Sequence, residues 1–306
     1  MRHGLRPTPM AAWLACIFIA GTAHAMDIKS LWNFADPAGS EAVFRERLRS
    51  AAGDDALSLQ TQIARSYSLR SRFDEAHALL DALESQLATA GPEPRVRALL
   101  ERGRTLRSAK QAQQARPLFL RAVDIAGAAR LDELTIDAMH MVALVEPGAD
   151  AQLQWNQRAL ALAQASSEPN ARNWDASLAN NIGWTLHDQG RYEPALASFQ
   201  AALAARERIG NAADIRSARW MVARVLRSLQ RHDEALTLLR GLEREAAAID
   251  SPDGFVFEEI GENLLAQARA AQARAPFARA YELLSQDRSL ERPDDARLAR
   301  LLRLSR

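Results

Sequence analysis

The chain has 306 residues, long enough for two average domains or one long repeat array. Apolar residues make up 48% and charged residues 25%, which excludes a wholly disordered chain. With 39 basic against 38 acidic side chains there is no basic surplus of the kind nonspecific nucleic-acid binding requires, and 14 glycines with 12 prolines are too few for an all-β chain.

Residues 1–25 read as a secretory signal peptide. Arg2, His3 and Arg6 supply a basic start, Met10 to Ala20 an apolar run, and Ala23-His24-Ala25 the small residues that a signal peptidase reads. Cleavage is expected before Met26, leaving 37 basic against 38 acidic residues in a periplasmic or secreted protein. An uncleaved anchor would need roughly 20 apolar residues, and this run is much shorter. Lipidation at Cys16 is a further reading, against which Trp13 stands where such motifs want Leu. Cys16 is the only cysteine, so the mature chain has no disulfide, thiol nucleophile or cysteine metal site.

Residues 26–56 form an N-terminal capping region, with one amphipathic helix from Asp36 to Ala52 grouping Val43, Phe44 and Leu48 on a face. Five segments then share an anchor alanine: FDEAHALLDAL with Ala76, AQQARPLFLRAV with Ala115, YEPALASFQAAL with Ala195, HDEALTLLRGL with Ala235 and AAQARAPFARAY with Ala273. The anchors stand 39, 80, 40 and 38 residues apart, so a degenerate sixth copy belongs at 133–166, where Gln152 takes the anchor position. Twelve residues before each alanine anchor is a small residue (Ala64, Gly103, Gly183, Ala223, Gly261), and nine before is Tyr67 or a leucine. Four residues after is a large apolar one: Leu80, Phe119, Phe199, Leu239 or Phe277. Steps of three, four and seven keep one face of a helix together, so each unit is two antiparallel amphipathic helices. The units are expected at 57–90, 96–129, 133–166, 176–209, 216–249 and 254–287, with a capping helix in 291–306. Pro117 and Pro276 fall inside second helices, where they should kink the helix or delay its start. The C-terminal arginines read mainly as a solvated face, with a membrane-surface helix as the other reading.

These units resemble the tetratricopeptide repeat family. The closest copy is NNIGWTLHDQGRYEPALASFQAAL, with Ile182, Gly183, Leu186, Gly190, Tyr192, Ala195, Phe199 and Ala202 on the motif positions. The period departs from the family's usual 34 towards 40. The resemblance implies an all-α, right-handed solenoid whose first helices line a concave surface that holds a peptide.

Offsets of 15, 11 and 8 residues before the anchor mark the expected exposed stripe, from Thr61, Arg65 and Ser68, through Leu100, Asp137, Met141 and Leu144, to Glu258, Glu262 and Leu265. On it the candidate peptide-binding residues are Arg65, Arg104, Arg107, Asn180, Trp184, His187, Trp220, Arg224 and Arg227. Arginine forks suit carboxylates and tryptophan adds rigid contact area, so the expected partner is a protein or peptide with acidic groups and an apolar anchor. The competing reading pairs these arginines with carboxylates of neighbouring helices and packs the tryptophans between units. Trp155 reads as core and Trp174 as a wedge between units.

No catalytic role is expected. His77, His140, His187 and His232 fall on different units with no metal-ligand spacing, and His187-Asp188 reads as a capping or solvated pair. Phosphate-cradling, dinucleotide and nucleophile-elbow motifs are absent from the sequence, and no cofactor is implied. The sequence thus reads as an exported, non-catalytic scaffold or adaptor. The alternative is an accessory subunit of an envelope enzyme or secretion complex, using its convex face or termini.

Overall fold

The computed structural model describes residues 26–286 and 295–306, so the leader reading, including Cys16, lies outside the described residues. A short 3-10 turn, Ile28–Leu31, precedes α1 (Pro37–Leu48), α2 (Gly53–Leu69), α3 (Phe73–Ala82) and the one-turn α4 (Glu84–Leu87). There follow α5 (Pro92–Ser108), α6 (Ala112–Ala128), α7 (Asp132–Ala143), α8 (Ala149–Ala165) and the short α9 (Pro169–Arg172). The rest are α10 (Trp174–Asp188), α11 (Tyr192–Ile209), α12 (Ala212–Ser228), α13 (His232–Ala248), α14 (Gly254–Ala266), α15 (Ala270–Gln286) and α16 (Asp295–Leu304). Among the described residues there is no strand. The long helices pack on their chain neighbours, and first helices also meet one another across units, as α2 with α5, α5 with α7 and α12 with α14. The result is an all-α solenoid.

The repeat offsets mark how the two helices of a unit close on each other. A Cβ placed on Gly103, Gly183 or Gly261 would stand 2.4–2.7 Å from the ring of Phe119, Phe199 or Phe277 respectively. Where the small residue is Ala64 or Ala223, the opposing side chain is the slimmer Leu80 or Leu239. All ten of these core positions are buried, and each large one contributes about 2–3 kcal/mol of apolar burial.

The turn inside each unit is equally regular. Five residues before the anchor, Ser71, Lys110, Gly190, Gln230 and Ala268 all take left-handed backbone, with φ between 59° and 72°. The next N–H then donates back to the carbonyl nine before the anchor, as Arg191 to Leu186 at 2.9 Å and Arg269 to Leu264 at 2.9 Å. This is the Schellman closure, and it satisfies carbonyls that a helix end would otherwise orphan. The α7–α8 unit lacks it. A longer loop runs from Leu144 to Gly148, held by Gln152 Nε2 donating to the Glu146 carbonyl at 2.7 Å.

That unit nevertheless buries Asn156, Ala159 and Ala163, which stand four, seven and eleven after Gln152. His140 takes the place of the small residue and Asn156 that of the large one, with His140 Nδ1 3.3 Å from Asn181 Nδ2 on α10 and Asn156 Nδ2 donating to the Gln152 carbonyl at 3.0 Å, so polar side chains replace the apolar pair. The prolines give a different outcome from the expected delay. Helices α6 and α15 begin three residues before their anchors, as the proline-free α3 and α13 do, and continue through Pro117 and Pro276. Burial of Phe119, two residues past Pro117, and of Phe277, next after Pro276, favours each helix in spite of the missing N–H.

Several first helices start about a turn before 57, 96 and 216. Asp54 and Asp55 in the first turn favour the early start of α2, Pro92 at the first position that of α5, and an Asn211 side chain capping Ala213 and Asp214 that of α12. At the ends, Phe44 of α1 is buried against Leu59 and Ile63, but Val43 faces outward. Helix α16 buries Leu301, and its arginines are not simply solvated: Arg297 pairs with Glu258 and lies over the Phe255 ring, and Arg300 pairs with Glu262.

Candidate binding groove

The inner face is built from the first helices, and its charges are matched in pairs across the seams between units. Arg104 of α5 bonds Glu101 on its own helix at 2.6 Å and both oxygens of Asp137 on α7 at 2.5 Å. Arg65 of α2 reaches Glu101 at 3.6 Å. Burial pulls the Arg104 guanidinium down, and Asp137 with Glu101 more than reverses this, holding it above its ordinary value. Burial likewise pushes the Asp137 carboxyl up, and Arg104 brings it below the usual range. Further along, Glu259 of α14 is 3% exposed and pairs with Arg227 and, at 3.6 Å, with Arg224. Burial raises the Glu259 carboxyl in spite of Arg227.

Between these charge clusters lies an aromatic one. Trp184 packs edge-on to Phe199 at 5.1 Å and meets Trp220 of the next unit at 6.4 Å. Trp220 Nε1 donates to the Phe255 carbonyl at 3.2 Å, joining a third unit. His187 is neither capping nor solvated: its side chain is 12% exposed and its Nε2 stands 2.9 Å from Ser228 Oγ on α12. Burial and the nearby Arg224 guanidinium hold its imidazole below the ordinary value. Trp174, the first residue of α10, packs on the cluster shared by α7, α8 and α10, with the His140 ring at 5.5 Å, and Trp155 packs half-buried against the α5–α7 core.

A cavity of about 770 Å³ opens across the first four pairs. Its lining includes Arg65 of α2, Arg97 and Arg104 of α5, Glu133 and Asp137 of α7, and Trp174 and Ser177 of α10. The side nearest the N-terminus is closed by Met26, Ile28, Lys29, Trp32 and Phe34.

The nine residues expected on the groove therefore divide. Arg65 and Arg104 line the cavity. Trp184, His187, Trp220, Arg224 and Arg227 gather in a second cluster two units on. Asn180 lies between, with its Oδ1 buried and unpaired, and Arg107 is exposed with no ion pair among the described residues. The expected stripe is also rotated. Thr61 and Leu100 are buried, as is Met141, because a first helix packs on its partner and on both neighbouring first helices. The missed partners are Glu101 and Glu259. Both stand fourteen before an anchor, where Gln62 and Asn181 also stand, so a polar offset beside the arginine series was the available signal.

Stacked helix pairs joined by charged and aromatic seams around an open inner face define a helical-repeat solenoid. Residues 175–240 match the family model described as Tetratricopeptide repeat, and solved neighbours share the solenoid architecture. No curated protein matches the chain. The apo form of RapI aligns with a TM-score of 0.71 at 13% identity, over 90% of this chain and 76% of that one. A STAND signal-transduction ATPase with a tetratricopeptide repeat sensor, from Pyrococcus horikoshii, aligns at 0.66 and 11% identity, over 80% of this chain and 38% of that one. NprR in complex with its cognate peptide NprX aligns at 0.50 and 15% identity, over 90% and 82%. At these identities the likeness is one of fold.

Proposed function

We propose that the protein is a non-catalytic scaffold or adaptor that holds a protein or peptide partner on its inner surface. The observation that carries this reading is the open cavity of about 770 Å³ across the first helices of four consecutive pairs. Its walls are held in place by ion pairs, so a partner meets a preformed surface and little backbone ordering opposes binding. The peptide carried by NprR on a solenoid of similar fold supports the same reading. The basic leader, apolar run and Ala-His-Ala signal support export to the periplasm or beyond. Arg65, Arg104, Arg224 and Arg227 are already met by carboxylates of the fold, so their charge is a weak attraction for an acidic partner.

The test is crosslinking pull-down from an envelope fraction, comparing the chain with an Asn173→Trp, Ser177→Phe variant that fills the cavity from α10 and the residue before it. Circular dichroism first establishes equal helicity. A partner captured by the parent and reduced tenfold or more by the variant supports inner-surface binding. Equal capture moves the interface to the convex face or termini, as an accessory subunit would use.

A further inference from the structure

The segment 26–34 lies on the inner face in an unusual way. Its backbone bonds are local up to Asn33, where the N–H donates to Ser40 Oγ at 2.8 Å and the carbonyl accepts from that hydroxyl at 3.0 Å. Among the described residues, no backbone atom before that point bonds a repeat helix. Side chains alone hold it there. Trp32 Nε1 donates to Gln62 Oε1 on α2 at 3.0 Å, and Lys29 Nζ stands 3.5 Å from Glu133 on α7. The Trp32 and Phe34 rings stack at 4.8 Å, and the Arg65 guanidinium lies 5.4 and 5.0 Å from their centres. Thus one short stretch of chain bridges the first helices of two units that are not adjacent, with the cavity beside it.

Those contacts are of the kind a bound peptide makes: an indole anchor, a cation on a carboxylate, and a guanidinium against aromatic faces. Two of the receiving groups are incompletely satisfied by the present occupant. Arg65 Nε is buried without a partner. Burial raises the Glu133 carboxyl in spite of Lys29, which is itself half in solvent.

We propose that residues 26–34 occupy in cis a docking subsite for a partner segment of the same chemistry, a basic residue followed by aromatic residues three and five positions later. The proposal rests on the inner-surface reading for its location. It adds the partner's chemistry and makes binding an exchange, in which the incoming segment displaces Lys29, Trp32 and Phe34. The backbone bonds of Asn33 to Ser40 mark where the displaced strap would turn.

The probe is a fluorescein-labelled peptide of residues 26–36, titrated by anisotropy into the full chain and into Trp32→Ala and Lys29→Glu variants. Emptying the subsite should tighten binding at least tenfold in Trp32→Ala and severalfold in Lys29→Glu. A peptide with both aromatics replaced by alanine should bind neither. Adding Glu133→Gln to Trp32→Ala should weaken the labelled peptide severalfold. Trp32 also packs on Phe44, so Lys29→Glu, at an exposed position, decides the matter if Trp32→Ala loses helicity. Equal affinity for parent and helical variants, or equal binding of the alanine peptide, overturns the proposal. Peptide exchange without any captured partner would instead sink the scaffold reading alone, and a captured partner without exchange would sink only the subsite.

Discussion

A hydrogen atom in place of a methyl decides how closely the two helices of a unit approach. Gly183→Ala sets a Cβ 2.7 Å from the Phe199 ring and should cost about 1–3 kcal/mol in urea unfolding. Adding Phe199→Leu recreates the Ala–Leu pairing of Ala223 with Leu239, and the double variant should recover most of that loss, a coupling that a double-mutant cycle measures. Arg104→Ala leaves Asp137 buried beside Glu101 without its cation, at a cost of about 3–5 kcal/mol. Arg104→Met with Asp137→Leu should restore much of it, as a thermal melt would reveal. His140 gives a pH signature. Burial holds its imidazole below 6.5, so its contribution to stability is complete above about that pH and is lost as pH falls through the lower folded value. Melting temperature should therefore fall from pH 7.5 to 5, and His140→Gln should flatten that limb.

At the level of the helix and its turns, the five left-handed residues are the exposed weak points. Only one of the five is glycine, and an L-residue there carries a penalty of about 1 kcal/mol. Ala268→Gly should stabilise by up to about 1 kcal/mol, offset in part by the freer unfolded chain. Gly190→Ala should do the reverse, and both are read by chemical denaturation. These turns show what was legible in the sequence and why. The pairs were visible because the anchor, small and large positions recur at fixed offsets and all serve one contact. The α7–α8 unit was visible only as register, since His140 and Asn156 replace the apolar pair and its turn is longer. The inner face was legible in part. Arg65 and Arg104 stand on it, but Thr61, Leu100 and Met141 are buried because a first helix is enclosed on more sides than a two-helix period implies. Trp32 and Phe34 fall outside every repeat, so no offset pointed to them.

Across the whole molecule, stability passes from unit to unit, and the ends are closed by helices outside the repeats. Helix α16 covers the last unit through Leu301 and through the Arg297–Glu258 and Arg300–Glu262 pairs. Truncation before Asp295 should release α14 and α15 first. Hydrogen exchange should show their amides losing protection while α5 to α8 keep theirs.

The seams also differ from one another. Arg65 meets Glu101, Arg104 meets Asp137, Trp184 meets Trp220, and Arg224 with Arg227 meets Glu259. A first helix thus matches some successors and not others. Excision of residues 176–215 would set the α7 surface of Asp137 and His140 against Trp220, charge against indole, whereas excision of 96–131 would still offer Asp137 to Arg65. Though the units share one blueprint, their order is written along the inner spine, and the array cannot be shuffled or shortened freely.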